Sequence, residues 1–413
     1  MSNDSGAGGM RRLLRLVRDG WLIAGIVVVL LIGLELAYRA QGALRNRAAG
    51  TRTEAVFFDH KSPWLDDYLL EQSRSEKLRW KSYTYFRRQP FRGAYINVDS
   101  TGHRVTRQER ASEPVREVFF FGGSTMFGAF QRDSATIPSL VARRLRDHGI
   151  HDVAITNFGE TGYVSTQEVI ELLLQLRSGK RPAAVVFYDG INDVYSTVQN
   201  GIAGLPQNEV NRARDFRLGR QVFNWRHDVA AELAALAAIG QMAVGRVELV
   251  DRLRQSTGPS RDRRHSVDSM SRNLVESYGA TAELVGALAR SYGFRALFVW
   301  QPTVHGTSKP MTAGEHTILQ SILRDPHQSL VRSMHLRVPA MLDSRMIHVD
   351  GISFLNLARV FAEDSAQVFV DQIGHTNERA NGAIAAALLP RLAELLSHDR
   401  GSAVKRPAAR VVE

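Results

Sequence analysis

Five short apolar runs alternate with stretches of helical periodicity from the first third of the chain to its end. The runs Val118 to Phe121, Val153 to Asn157, Ala184 to Tyr188, Arg295 to Trp300 and Gln367 to Val370 have the length of buried strands. Apolar residues recur at helical spacing over Thr136 to His148, Ser165 to Arg177, Asn273 to Tyr292 and Thr376 to Leu396. Strand alternating with helix predicts parallel pairing, right-handed crossovers and helices on both sheet faces. The expected fold class is a doubly wound α/β domain.

The flanks follow other patterns. Trp21 to Tyr38, WLIAGIVVVLLIGLELAY, carries one charge, Glu35, near its end. About 20 apolar residues span a bilayer as a helix, so residues 21–38 are expected to be a transmembrane anchor. A cleaved signal peptide is the alternative, with Ala40-Gln41-Gly42 as the cleavage site. The short lead, 1–20, is placed in the cytoplasm and the body in the periplasm, at the cell inner membrane. Residues 39–94 read as a juxtamembrane connector, 95–397 as the main domain and 398–413 as a disordered basic tail. Asp99 to Gly102 forms a turn between two short strand-like runs near the start of that domain. A helical insertion, 196–270, separates the third and fourth strands. Its first part holds Arg212, Arg214, Arg217, Arg220 and Arg226, and its second, Asp228 to Val244, is rich in alanine.

Composition narrows the chemistry. A chain of 413 residues with 44% hydrophobic positions has ample material for a core. The net charge of +11 lies largely in scattered arginines and at the two ends, which suits a solvated surface and not a nucleic-acid stripe. With no cysteine, disulfides, thiolate metal sites and cysteine nucleophiles are excluded. Asp189, Asp193 and His305 have no spacing that resembles a metal-ligand set. There are no internal repeats.

Four polar clusters follow predicted strands, where open α/β sheets bind ligands. Glu117 to Gly128, EVFFFGGSTMFG, breaks a strand at Gly122-Gly123 and delivers Ser124 to a turn, as an exposed hydroxyl or as a helix cap. The others are Asn157 to Gly162, Asp189 to Asp193 and Asp371 to His375. Ester hydrolysis by serine needs a base, a group that orients it and donors for the developing oxyanion. His375 can be that base and Asp371 its orienter. Backbone N–H groups at Ser124 and at a glycine of the second cluster, with the Asn192 amide, can supply the donors.

These clusters resemble the SGNH (GDSL-type) hydrolase superfamily of serine esterases and lipases. Ser124 in FGGSTMFG matches its nucleophile, Gly162 in NFGETGY its oxyanion glycine, Asn192 in GIND its oxyanion asparagine and His375 in DQIGHTNERAN its base, with Asp371 as the acid. The resemblance covers about Tyr95 to Leu396, including Gln301-Pro302-Thr303. It implies a three-layer α/β/α sandwich whose mostly parallel, five-stranded sheet has the order 2-1-3-4-5. Two departures stand out: Gly123 replaces the usual aspartate before the serine, and Gly374 adds one residue between Asp371 and His375. The implied activity is hydrolysis of an O-acyl ester, such as an acetyl group on a cell-surface glycan, through a Ser124 acyl-enzyme without metal or organic cofactor. An O-acyltransferase using the same residues, and a non-catalytic glycan-binding protein, are the alternatives. The expected partners are an acylated small molecule or glycan and the membrane.

Overall fold

The computed structural model describes residues 17–23, 25–26, 28–30, 32–33, 36–37, 40, 63–223 and 266–397. The described positions between 17 and 40 are helical and exposed, and among the described residues no helix is long and apolar enough to cross a membrane. The rest of the predicted anchor lies outside the described residues, as do residues 1–16, 224–265 and the predicted tail, 398–413. Residues 63–210 and 266–397 belong to one compact unit, whereas the described positions of 17–40 and residues 211–223 belong to a second.

The main unit opens with helix α1 (Leu65–Ser75) and two antiparallel hairpins, β1 (Leu78–Lys81) with β2 (Tyr85–Arg88) and β3 (Phe91–Arg92) with β4 (Asn97–Val98). The predicted connector therefore does not end at 94. Its described part is folded onto the domain, because Tyr68 of α1 is fully buried with Ile96, Val98 and Phe127. Strand β5 (Arg116–Gly122) follows and runs into a one-turn helix, α2 (Ser124–Phe127). Next come α3 (Ile137–Asp147), β6 (Val153–Asn157), α4 (Ser165–Arg177), β7 (Ala184–Asp189), α5 (Ile191–Asn200), α6 (Glu209–Phe223) and α7 (Val267–Tyr292). The chain closes with β8 (Arg295–Trp300), α8 (Ala313–Arg324), α9 (Pro326–His335), α10 (Val338–Met346), β9 (Ser353–Asn356) and α11 (Glu378–Ser397).

Five strands pair in parallel in the order β6-β5-β7-β8-β9. That is the expected 2-1-3-4-5, but the fifth strand is not the expected one. Ser353–Asn356 takes the sheet edge, and Gln367 to Val370 contributes only an isolated bridge from Phe369 to Thr376. An edge strand covered incompletely on both faces needs no apolar run, and all four residues of β9 are only half-buried. Val368, Phe369 and Val370 are buried, and Val368 and Phe369 pack against α11 and the sheet core rather than in the ladder.

Side chains alternate between the two faces, as the strand period requires. Phe119, Phe121, Val185, Phe187, Phe298 and Trp300 enter a core beneath α4, α5, α7, α9 and α10. Val118, Phe120, Val186, Tyr188, Leu297 and Val299 enter another beneath α3, α8 and α11. Each such side chain contributes about 1.5–3 kcal/mol by leaving water. With both faces covered, polar chemistry is confined to the strand ends.

Candidate active site

Ser124 leaves the carboxyl end of β5 where Gly123, extended at φ −78° and ψ −153°, opens α2. Gly123, not Ser124, caps that turn, which frees the serine hydroxyl. Glycine is required here by a neighbour: a Cβ at position 123 would stand 2.0 Å from Asn192 Nδ2. The absence of an aspartate before the serine thus has a physical reason, the close approach of the Asn192 amide.

Asn192 lies in the first turn of α5, directly after β7. Its Nδ2 donates to Tyr163 O at 2.8 Å and its Oδ1 accepts from Gln207 Nε2 at 3.2 Å. An amide nitrogen carries two protons, so one remains for a ligand. Gly162, in the left-handed region at φ +74°, borders the same Gln207. Two buried arginines of β2 brace its turn. Arg87 donates to Phe158 O at 3.0 Å and lies 3.4 Å from Glu171, and Arg88 donates to Thr161 Oγ1 at 2.8 Å and lies 3.6 Å from Glu160.

The far end of the chain supplies the rest. His375 Nε2 is 2.7 Å from Ser124 Oγ, and His375 Nδ1 is 2.5 Å from Asp371 Oδ2. Ser124, His375 and Asp371 thus form one unbroken hydrogen-bonded row. The added residue is absorbed at Gly374, whose φ of +89° closes a tight loop. Within that loop Asp371 Oδ1 accepts from the backbone N–H groups of Ile373 at 2.9 Å and His375 at 3.1 Å. Burial alone would raise the Asp371 pKa, but the interaction with the adjacent His375 ring and the hydrogen bonds of the loop outweigh it and hold the carboxyl below its ordinary value.

Several contributors carry no sequence motif. His305 is fully buried and its Nε2 meets Gln372 O at 2.8 Å, which clamps the Asp371–His375 loop from below. Burial pushes its pKa down to about 4, so the ring is neutral, and a neutral ring facing a carbonyl must donate. Phe130 meets His375 edge to face at 5.3 Å and has a left-handed φ of +63°. Its loop is held by Arg104, which donates to Asp133 at 2.6 Å and Gln131 O at 2.7 Å, while Gln131 donates to Thr376 O.

A buried carboxyl cluster lies behind the Asn192 turn. Asp193 accepts from Ser165 Oγ at 2.7 Å, and Asp189 accepts from Tyr278 Oη at 3.0 Å. Burial, reinforced by neighbouring carboxyls, raises Glu168 well above its ordinary pKa and Asp189 to about 8. Burial also lifts Asp193, to about 6. Crowding of these buried carboxyls favours a proton on the Glu168–Asp189 pair. Glu168 has one legible signal: it shares a helix face with Ser165, Leu172 and Leu176, where an unpaired charge is costly. Among the described residues no group of His, Asp or Glu could hold a metal ion.

No family profile matches the chain, and no curated protein does. Similar solved structures include an acetyl xylan esterase, AlAXEase, 13% identical over 67% of this chain and 99% of its own, with a TM-score of 0.35. A lipolytic G-D-S-L family protein from Veillonella parvula is 13% identical over 67% and 97%, with a TM-score of 0.35. An acetyl-xylooligosaccharide esterase from Geobacillus Stearmophilus is 12% identical over 68% and 95%, with a TM-score of 0.36. Likeness at this level leaves the chemistry to be read from the chain's own geometry.

Proposed function

We propose that the protein is a serine esterase of the SGNH type that hydrolyses an O-acyl ester through a Ser124 acyl-enzyme. The observation that carries this reading is the row Asp371–His375–Ser124, with contacts of 2.5 and 2.7 Å, whose serine and histidine lie 251 positions apart in the chain. An ionised Asp371 accepts from Nδ1–H, which leaves the Nε2 lone pair of a neutral His375 facing the serine hydroxyl.

His375 takes the Ser124 proton as Oγ bonds to the ester carbonyl carbon. The charge that forms on the carbonyl oxygen is met by the free proton of Asn192 Nδ2 and by the backbone N–H groups of Ser124 and Gly162. One such donor is worth roughly 10²–10³ in kcat. The imidazolium then protonates the departing alcohol, and the carbon–oxygen bond to it breaks. Water enters, gives a proton to His375 and attacks the acyl carbon, and the Ser124 ester bond breaks as the imidazolium returns that proton to Oγ. The chain's own residues account for every proton moved.

In this reading the substrate is a short acyl group, such as acetyl, on a cell-surface glycan. The apolar run at 21–38 anchors the chain in the inner membrane with the catalytic unit in the periplasm. The test is turnover of an activated acetyl ester by the full-length protein beside Ser124→Ala and His375→Ala. Both variants are expected to lose at least ~10³-fold in kcat. Undiminished turnover in Ser124→Ala would overturn the mechanism.

A further inference from the structure

An open cleft of about 480 Å³, lined by Arg74, Ser75, Lys77, Gln89, Pro90 and Phe91, lies at the base of the β1–β2 hairpin. Its lining holds two cations and no carboxylate. Residues 77–98 contain Lys77, Arg79, Lys81, Arg87, Arg88 and Arg92 without one aspartate or glutamate. Three of these are neutralised: Lys81 and Arg87 by Glu171, and Arg88 by Glu160. Glu71 accepts from the backbone N–H groups of Ala94, Tyr95 and Ile96. No carboxylate among the described residues pairs with Arg74 or Lys77. Arg74 and Lys77 thus give the cleft a positive lining that suits an anion.

The remaining lining is not that of a simple anion site. Phe91 and Pro90 offer flat apolar faces, and the Gln89 amide, which spends one proton on Leu78 O, keeps further hydrogen-bonding capacity. The volume falls in the range of pockets that take organic ligands, ~300–1,000 Å³, far larger than one oxyanion needs. The same hairpin carries Trp80, 72% exposed, and, in its turn, Tyr83, 67% exposed and held at a left-handed φ of +71°. A bulky residue kept in that conformation with its ring in water is a costly arrangement that points to function.

The cleft also communicates with the catalytic turn. Arg88 donates to Ser75 Oγ at the cleft wall at 3.1 Å and to Thr161 Oγ1 at 2.8 Å, and Thr161 precedes Gly162.

From this juxtaposition we infer that the cleft and this hairpin bind acidic sugar units of a glycan. Arg74 and Lys77 hold the carboxylate, and Phe91, Trp80 and Tyr83 stack on the rings. A bilayer fits less well, because Arg74 and Lys77 line a concave cleft together with Pro90 and Phe91, not a flat surface. The inference deepens the esterase reading by naming the acid character of the glycan.

Calorimetry on the full-length protein with a uronic-acid hexasaccharide, a neutral xylo-hexasaccharide, inorganic phosphate and phosphatidylglycerol vesicles tests it. The acidic hexasaccharide is expected to bind at least tenfold tighter than the neutral one. Arg74→Glu with Lys77→Glu should weaken it at least tenfold, Trp80→Ala should weaken both sugars, and turnover of the small acetyl ester should stay unchanged in both variants. Equal binding of the two sugars, or acidic binding indifferent to the charge reversals, overturns the inference. So does phosphate that displaces the sugar at equal affinity, or vesicle binding without sugar binding. Loss of turnover in Ser124→Ala concerns the esterase reading alone, so the two can fail separately.

Discussion

Replacing Asp371 by asparagine tests the hydrogen-bonded row at its far end. Asp371 Oδ1 serves two backbone donors, at 2.9 and 3.1 Å, while Oδ2 serves His375 Nδ1 at 2.5 Å. The carbonyl oxygen of asparagine keeps both backbone donors, so the loop through Gly374 retains its shape. Its NH2 group faces the imidazole and can only donate. Nδ1 must then become the acceptor and Nε2 carries the proton, so the ring presents an N–H to Ser124 where a lone pair is needed. In serine-hydrolase triads this tautomer reversal lowers kcat about 10⁴-fold. At 1.36 kcal/mol per factor of ten, that is about 5.4 kcal/mol of transition-state stabilisation. Folding loses one charge-assisted hydrogen bond, about 1.5–3 kcal/mol. Steady-state kcat on an activated acetyl ester, read beside a thermal melt, separates the two effects. A folded Asp371→Asn protein with kcat within about tenfold of wild type would show that Asp371 does not orient His375.

Three further outcomes follow from local geometry. Gly123→Ala puts a methyl 2.0 Å from Asn192 Nδ2 and should displace that amide, lowering kcat by ~10²–10³ with little change in KM; an unchanged kcat would remove Asn192 from the oxyanion site. Gly374→Ala places a Cβ at φ +89°, at a cost of roughly 1–2 kcal/mol, and should reduce kcat more than its melting shift implies; stability and kcat falling in step would mean that the loop does not position His375. Asp189 and Glu168 have raised pKa values, so their contribution is fully present below the ordinary carboxyl range and lost as pH rises through about 8 for Asp189. Glu168→Gln removes one carboxyl of raised pKa, so its melting temperature should fall less steeply than wild type between about pH 6 and 9; parallel curves would contradict the raised pKa of Glu168.

The central strands are legible in sequence because they are buried on both faces and must be apolar throughout. Val153–Asn157 and Arg295–Trp300 have the expected bounds, and β5 and β7 are longer than expected by a few residues at most. Strand β9 escapes the pattern because an edge strand is under no such demand, and Ser353-Phe354-Leu355-Asn356 reads as a loop. The turn at Asp99 to Gly102 is legible and joins β4 to an antiparallel bridge between Val98 and Arg104, whereas helices α8 to α10 and the β1–β2 hairpin escape the pattern. Arg87, fully buried beside Glu171, reads in sequence as one more surface arginine. Motifs identify Ser124, Asn192 and His375 as candidates by residue type and order. They cannot reveal that Asn192 excludes a side chain at 123, nor that His305 clamps Gln372, since both depend on three-dimensional approach.

The row from Asp371 to Ser124 also sets a timetable. Chains emerge N-terminus first, and the element bearing Ser124 can form as soon as β5 to β7 are paired. Its base arrives 251 residues later, on the loop just before the last helix of the domain. Until then the hydroxyl is an ordinary alcohol. In the esterase reading, a chain interrupted anywhere before Asp371 is inert toward esters. Catalytic competence then waits for the final segments of the domain, a latency imposed by chain order.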